Sequence, residues 1–298
     1  MKEKTRMSRR IVSVLAAFAL VVAVAAWVVF TGGSFGGAEP DAQADSRAAG
    51  QTAITPRPRT LTVFAAASLI EAFTDLGAQF EAAHEGVNVQ FNFAGSQRLR
   101  AQLEQGARSD VFASANVREM AAAVAVGIVA ADAPVAFARN RLVVIFPADN
   151  PGGIRALGDL ARPGLKLDVA DPSVPVGQYT LSMFDKMGRD PAYGETFRAG
   201  ALANVVSREE NVKAVVTKVA LGEADAGVVY VSDVTPQAAP HLGTVEIPDR
   251  FNQIATYPVA VVRRPAEPDL GRQFVAFILS EAGQQTLAAH GLIPVDGQ

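Results

Sequence analysis

The chain of 298 residues contains no cysteine. Disulfides, thiolate metal centres, thiol catalysis and lipid attachment through an N-terminal cysteine are all excluded by that absence. Histidine is almost as scarce: His84, His241 and His290 stand far apart, without the spacing of a metal-ligand set. Charged residues are sparse at 19%, and the formal net charge is only −3. That is too little to mark nucleic acid or an anionic membrane surface as a partner. Enzyme signatures are missing too: there is no S-x-x-K, H-E-x-x-H or G-x-x-x-x-G-K-[ST], and the one G-x-S-x-G string, Gly32–Gly36, follows the apolar run instead of a strand. Asp171 or Glu210 could be named as a general base, but neither has a partner visible in the sequence, so no enzyme is expected.

What the chain does have is apolar residues, 49% of the total with a mean hydropathy of +0.18. Part of that excess is local. Lys2, Lys4, Arg6, Arg9 and Arg10 form a basic head, and Ile11 to Phe30 follows without a charge. Such a run is long enough to cross a bilayer as a helix, and the basic residues before it keep the N-terminus inside. Everything beyond Phe30 is therefore expected outside the cytoplasm. The length favours a retained anchor over a secretory signal, whose apolar core is shorter. Ala42-Gln43-Ala44 nevertheless offers a cleavage site, so residues 1–30 read as a signal peptide or a membrane anchor. Residues 31–59, rich in Gly, Ala, Ser, Pro and Gln, read as a flexible linker that cannot bury a core.

From about Thr60 onward, strand and helix signals alternate. Leu61–Ala66, Val87–Phe93, Val111–Ala113, Arg141–Phe146, Leu165–Ala170, Val205–Val206, Gly227–Val231 and Tyr257–Val262 read as strands. Helices are expected after Ser68, around Leu99 and Leu103, over Asn116–Gly127, after Pro175, along the stripe Val212, Val215, Val216 and Val219, and over Leu270–His290. Ser68 with Glu71, and Ser207 with Glu210, have capping-box spacing. The alternation implies an α/β protein with mostly parallel sheets, whose sites lie where strands end and helices begin. Ser68, Ser96, Val176-Gly177 and the segment Glu210–Val212 each fall at such a junction, with Tyr230 at the end of a strand. A helix N-terminus carries unpaired N–H groups and partial positive charge, so it favours an anion. Each serine alone reads as an ordinary N-cap; the coincidence of all these junctions points to an anion site.

Six stretches carry a resemblance over nearly all of residues 61–295. They are Thr62–Leu69 (TVFAAASL), Phe93–Ser96 (FAGS), Asp110–Ala115 (DVFASA), Asp171–Gly177 (DPSVPVG), Gly222–Asp233 (GEADAGVVYVSD) and Tyr257–Val262 (YPVAVV). In order and spacing they are similar to the molybdate-binding proteins of ABC importers. The resemblance implies a two-lobe type II periplasmic-binding-protein fold. The first lobe would be 60–139 plus 257–296 and the second 140–256, with Arg139–Val143 and Ile254–Pro258 as hinge crossings. It implies that Ser68 and Ser96 donate hydroxyl and backbone N–H bonds to a tetrahedral oxyanion. Val176 and Val212 would donate backbone N–H, and Tyr230 its phenol. The ligand would be molybdate or tungstate, bound with no cofactor and no direct protein–metal bond. An ABC permease and its ATPase would be the partners, and the protein would be a monomer. A carrier of the same fold for another oxyanion, such as sulfate, is the competing expectation, since cavity size alone separates the two dianions. A regulator's sensing domain would need a DNA-binding segment where the apolar run stands.

Overall fold

The computed structural model describes residues 58–295. The expected signal or anchor, 1–30, and nearly all of the linker lie outside those residues. No helix of the described residues is long and apolar enough to cross a membrane.

The chain enters through β1 (Arg59–Ala66), a 3₁₀ turn at Ala67–Leu69, and α1 (Ile70–Ala83). β2 (Val87–Ala94), α2 (Ser96–Glu104), β3 (Val111–Ala113), α3 (Val117–Ala125) and β4 (Val135–Asn140) follow. After Arg141 come β5 (Leu142–Pro147), β6 (Leu167–Ala170), α4 (Pro175–Arg189), α5 (Thr196–Ala203), β7 (Val205–Glu209), α6 (Val212–Ala220), β8 (Ala226–Tyr230) and β9 (Leu242–Glu246). β10 (Ala255–Val261), α7 (Pro268–Leu279), α8 (Glu281–Ala289) and β11 (Ile293–Pro294) complete it.

These strands make two sheets, ordered β11-β4-β10-β3-β1-β2 and β7-β6-β8-β5-β9. Both are mixed. β1 pairs in parallel with β2 and β3, and β6 with β7 and β8. Antiparallel pairs arise where the chain changes sheets: β10 returns beside β3 and β4, and β5 lies between β8 and β9. The parallel share is thus smaller than the alternation of strand and helix implied. The two crossings turn the entering strands against their neighbours, and local periodicity carries no record of that.

Helices on both faces explain why the inner strands read as unbroken apolar runs. On one face of the first sheet, Phe73, Phe80 and Phe274 from α1 and α7 pack edge to face around Val63, Ala65, Val111 and Val259. On the other, Leu99, Leu103 and Met120 from α2 and α3 cover Phe64, Phe112 and Ala260. In the second sheet the stripe Val212, Val215, Val216 and Val219 of α6 is buried as its spacing predicted. Neither expected capping box forms. α1 begins through the 3₁₀ turn with no side-chain cap. Ser207 lies within β7, and Asn211 caps α6 by accepting from the Ala214 N–H.

Candidate functional site

The carboxyl ends of β1, β2, β6, β7 and β8 converge on one small cavity between the two sheets. Ala66, Ala67, Ser68, Gly95, Ser96, Ala115, Val174, Pro175, Val176, Asn211, Val212 and Tyr230 line it. All five sequence-predicted residues, Ser68, Ser96, Val176, Val212 and Tyr230, therefore meet at a single place. Its free volume is about 10 Å³, on the scale of one water molecule. No carboxylate, lysine or arginine is among the lining residues.

Each wall offers hydrogen-bond donors. Ser68 sits in the 3₁₀ turn before α1, and Ser96 is the first residue of α2. Val176 is in the first turn of α4 and Val212 opens α6. Backbone N–H groups in a first turn have no partner within their helix. No side chain caps α2 or α4, whose N-cap residues are Gly95 and Val174. Gly177 lets α4 start where it does, because a Cβ there would collide with the Asp171 carbonyl oxygen and lie 2.6 Å from that of Ala170.

The hydroxyls are held by the protein in a way that leaves donors over. Ser96 Oγ accepts from the Ala115 N–H at 3.0 Å, so its own hydrogen is unused. Ser68 Oγ lies 3.0 Å from the phenol of Tyr257. Tyr230 is 1% exposed, yet its hydroxyl has no hydrogen-bond partner among the described residues. Its ring is fixed edge to face by Tyr179 and Tyr257, with centroids 6.5 and 5.8 Å away. Burial, reinforced by the neighbouring Tyr257, holds the phenol well above the ordinary tyrosine value. It stays protonated and remains a donor.

Charges lie around the cavity rather than in it. Lys213, next to Val212, reaches Glu71 of α1 at 2.8 Å and buried Asp233 at 3.1 Å. Burial pulls its ammonium down, but Asp233 and Glu71 outweigh that and hold it above its ordinary value. Arg98 pairs with Glu210, whose carbonyl also accepts from Gln97 Nε2 at 3.0 Å. These contacts join elements of the first sheet's layer to those of the second. The three histidines are elsewhere: His84 stacks on Phe80 and His290 pairs with Asp75, while His241 is outside the lining as well. Among the described residues no cluster of His, Cys, Asp or Glu could hold a metal ion.

Sequence reasoning missed the residues behind the lining. Tyr257 stood out only as part of the YPVAVV stretch. Asn140 carried no signal at all. Asn211, in the lining and within the Glu210–Val212 junction already singled out, is the N-cap of α6, a role legible from an Asn directly before an apolar helical stripe.

Two mixed α/β sheets whose strand ends face one cavity define a fold of the periplasmic-binding-protein type. Residues 61–293 match the family described as bacterial extracellular solute-binding protein. A protein of Mycobacterium tuberculosis named molybdate-binding protein ModA is 43% identical over 237 residues, covering 80% of this chain and 85% of the relative. A solved structure from Clostridium difficile is described as the substrate-binding domain of a putative molybdenum ABC transporter. It has a TM-score of 0.59 at 28% identity, with 80% of this chain and 99% of that one covered. The sulfate-binding protein SubI of M. tuberculosis superposes with a TM-score of 0.72 at 21% identity, over 80% of this chain and 88% of that one. At that identity it speaks for the fold alone. The chain belongs to the bacterial extracellular solute-binding protein family.

Proposed function

We propose that the protein captures molybdate, and with it tungstate, in this cavity outside the cytoplasm and delivers it to an ABC import permease and its ATPase. The observation that carries the proposal is the lining itself: donors from four chain segments and the Tyr230 phenol, with no acceptor carboxylate among them. Molybdate is a dianion at neutral pH with no proton to give. Hydrogen phosphate would bring a proton that finds no acceptor, and an unmet donor or acceptor in a buried site is costly. The site's dipoles are in place before the ligand arrives. The 43% identical relative supports molybdate in particular. A sulfate carrier is the competing reading, because sulfate is also an unprotonated dianion.

In this proposal Ser68 and Ser96 donate through hydroxyl and backbone, Val176 and Val212 through backbone N–H, and Tyr230 through its phenol. Residues 60–139 plus 257–296 act as one lobe and 140–256 as the other, hinged at 139–143 and 254–258. The protein works as a monomer, exported or anchored through residues 11–30, and uses no cofactor. The lack of cysteine makes the closure testable directly. Cysteines introduced at exposed Arg118 on α3 and Thr217 on α6 give a uniquely spin-labelled pair. A ligand favouring the closed form shifts the population toward it. Molybdate should shorten and narrow the inter-label distance distribution. A distribution unmoved at saturating molybdate would remove the two-lobe reading.

A further inference from the structure

Tyr257 and Asn140 line no part of the cavity, yet they join the crossing between the sheets to Ser68. Asn140, at the end of β4, accepts the Arg141 N–H on Oδ1 at 2.9 Å. That bond fixes which end of the amide faces the neighbouring hydroxyls. Nδ2 then donates to Ser232 Oγ at 2.8 Å and to the Tyr257 hydroxyl at 3.4 Å. All four side chains are buried: Asn140, Tyr257, Ser232 and Ser68. With its oxygen receiving from Asn140, the Tyr257 hydroxyl has one hydrogen left, and Ser68 Oγ at 3.0 Å is the acceptor it meets. Intrinsic acidity points the same way, because a phenol is a stronger donor than an aliphatic alcohol. Burial keeps the Tyr257 phenol protonated. Ser68 Oγ is thus occupied as an acceptor, and the hydrogen it has left is the one free to turn to the cavity.

We infer that Asn140 and Tyr257 are positioning residues that free the Ser68 hydroxyl hydrogen for the ligand, and so tilt selectivity away from protonated oxyanions. The inference rests on the oxyanion reading of the cavity. Ser96 is biased in the same sense by the Ala115 N–H, so in the intact protein each serine has one lone pair engaged and its hydrogen free for the ligand, which favours an acceptor-only oxyanion over hydrogen phosphate. Without the Tyr257 hydroxyl, Ser68 Oγ is free to rotate and accept.

The test is a double-mutant cycle on the full chain, with Tyr257→Phe, Ser68→Ala and the double variant titrated calorimetrically with molybdate and with inorganic phosphate at pH 7.5. Loss of one polarising hydrogen bond should weaken molybdate binding about two- to fivefold. Phosphate should weaken less or gain, so that the molybdate-to-phosphate ratio falls. In the Ser68→Ala background, Tyr257→Phe should change neither value, since coupled residues do not add. Asn140→Asp is the second variant. A carboxylate there accepts the Tyr257 hydrogen, reverses the relay and turns a Ser68 lone pair to the cavity, so molybdate should weaken by more than in Tyr257→Phe. An intact circular dichroism spectrum checks that each variant folds. An equal effect of Tyr257→Phe with and without the Ser68 hydroxyl, or an unchanged ratio in both Tyr257→Phe and Asn140→Asp, overturns the relay. A parent protein that binds no oxyanion overturns the reading of the cavity instead.

Discussion

Tyr230 offers the sharpest separation between a binding residue and a core residue. Its ring is packed on two tyrosines, and its hydroxyl is buried without a partner among the described residues. Tyr230→Phe keeps the ring and removes one donor. A hydrogen bond to a charged group is worth about 1.5–3 kcal/mol. At 1.4 kcal/mol per factor of ten, the expected loss in molybdate affinity is about tenfold to a hundredfold. Stability should move the other way or stand still. A buried, unpaired hydroxyl is a cost to the folded protein, of order 1 kcal/mol. The ligand-free variant should therefore melt at the parent's temperature or up to about 4 °C above it. Titration calorimetry and differential scanning calorimetry on the same preparations give both numbers. A variant that binds as tightly as the parent would refute the donor role. One that melts well below the parent, with binding lost in proportion, would show a tyrosine serving the core.

The remaining expectations concern pH and backbone. The lining has no group that titrates near neutrality, because serine and N–H do not ionise there and Tyr230 is held above its usual range. Affinity for molybdate should be flat from about pH 6.5 to 8.5, and a tenfold drift would expose a titrating group in the site. Asp168 on β6 is fully buried, and neither of its oxygens has a hydrogen-bond partner. Burial, with nearby Glu209, pushes its pKa up to about 7. Its folded pKa thus exceeds the unfolded one, so stability from Asp168 is present at low pH and lost as pH rises from about 4 to 7. Asp168→Asn should gain on the parent by roughly 2–3 kcal/mol between pH 5 and 8 in urea unfolding; an equal gap at both pH values contradicts this. Gly177→Ala should move the start of α4 and weaken molybdate binding at least about tenfold, since the added Cβ meets backbone that cannot rotate aside. Unchanged affinity would mean that the first turn of α4 is not a donor.

Much of this arrangement is legible in the chain because the inner strands and the helix stripes are chemically plain. Leu61–Ala66 and the valines of α6 announce buried elements by composition and spacing. β4, with Ala136, Ala138, Arg139 and Asn140 in six residues, has no such contrast and was not anticipated. α5 carries Gly200 mid-helix, where Ala161 packs close, and local propensity argues against it. β9 contains Gly243, which accommodates the Phe146 ring, so a tertiary contact outweighs its weak strand signal. The junction residues were visible because anion chemistry and helix starts coincide in sequence. Even so, the spacing of Ser68 and Glu71 predicts a capping box, whereas the Ser68 oxygen goes to Tyr257 and Glu71 goes to Lys213. Those partners are remote in the chain, and no local pattern records them.

The central claim is that a donor-lined cavity selects an unprotonated tetrahedral dianion of molybdate's size. Competition calorimetry of the purified protein with molybdate, tungstate, sulfate and phosphate at pH 7.5 and fixed ionic strength tests it most directly. The account predicts tight one-to-one binding of molybdate and tungstate, with sulfate weaker by orders of magnitude and phosphate weaker still. Sulfate binding as tight as molybdate, or phosphate binding above sulfate, would contradict it.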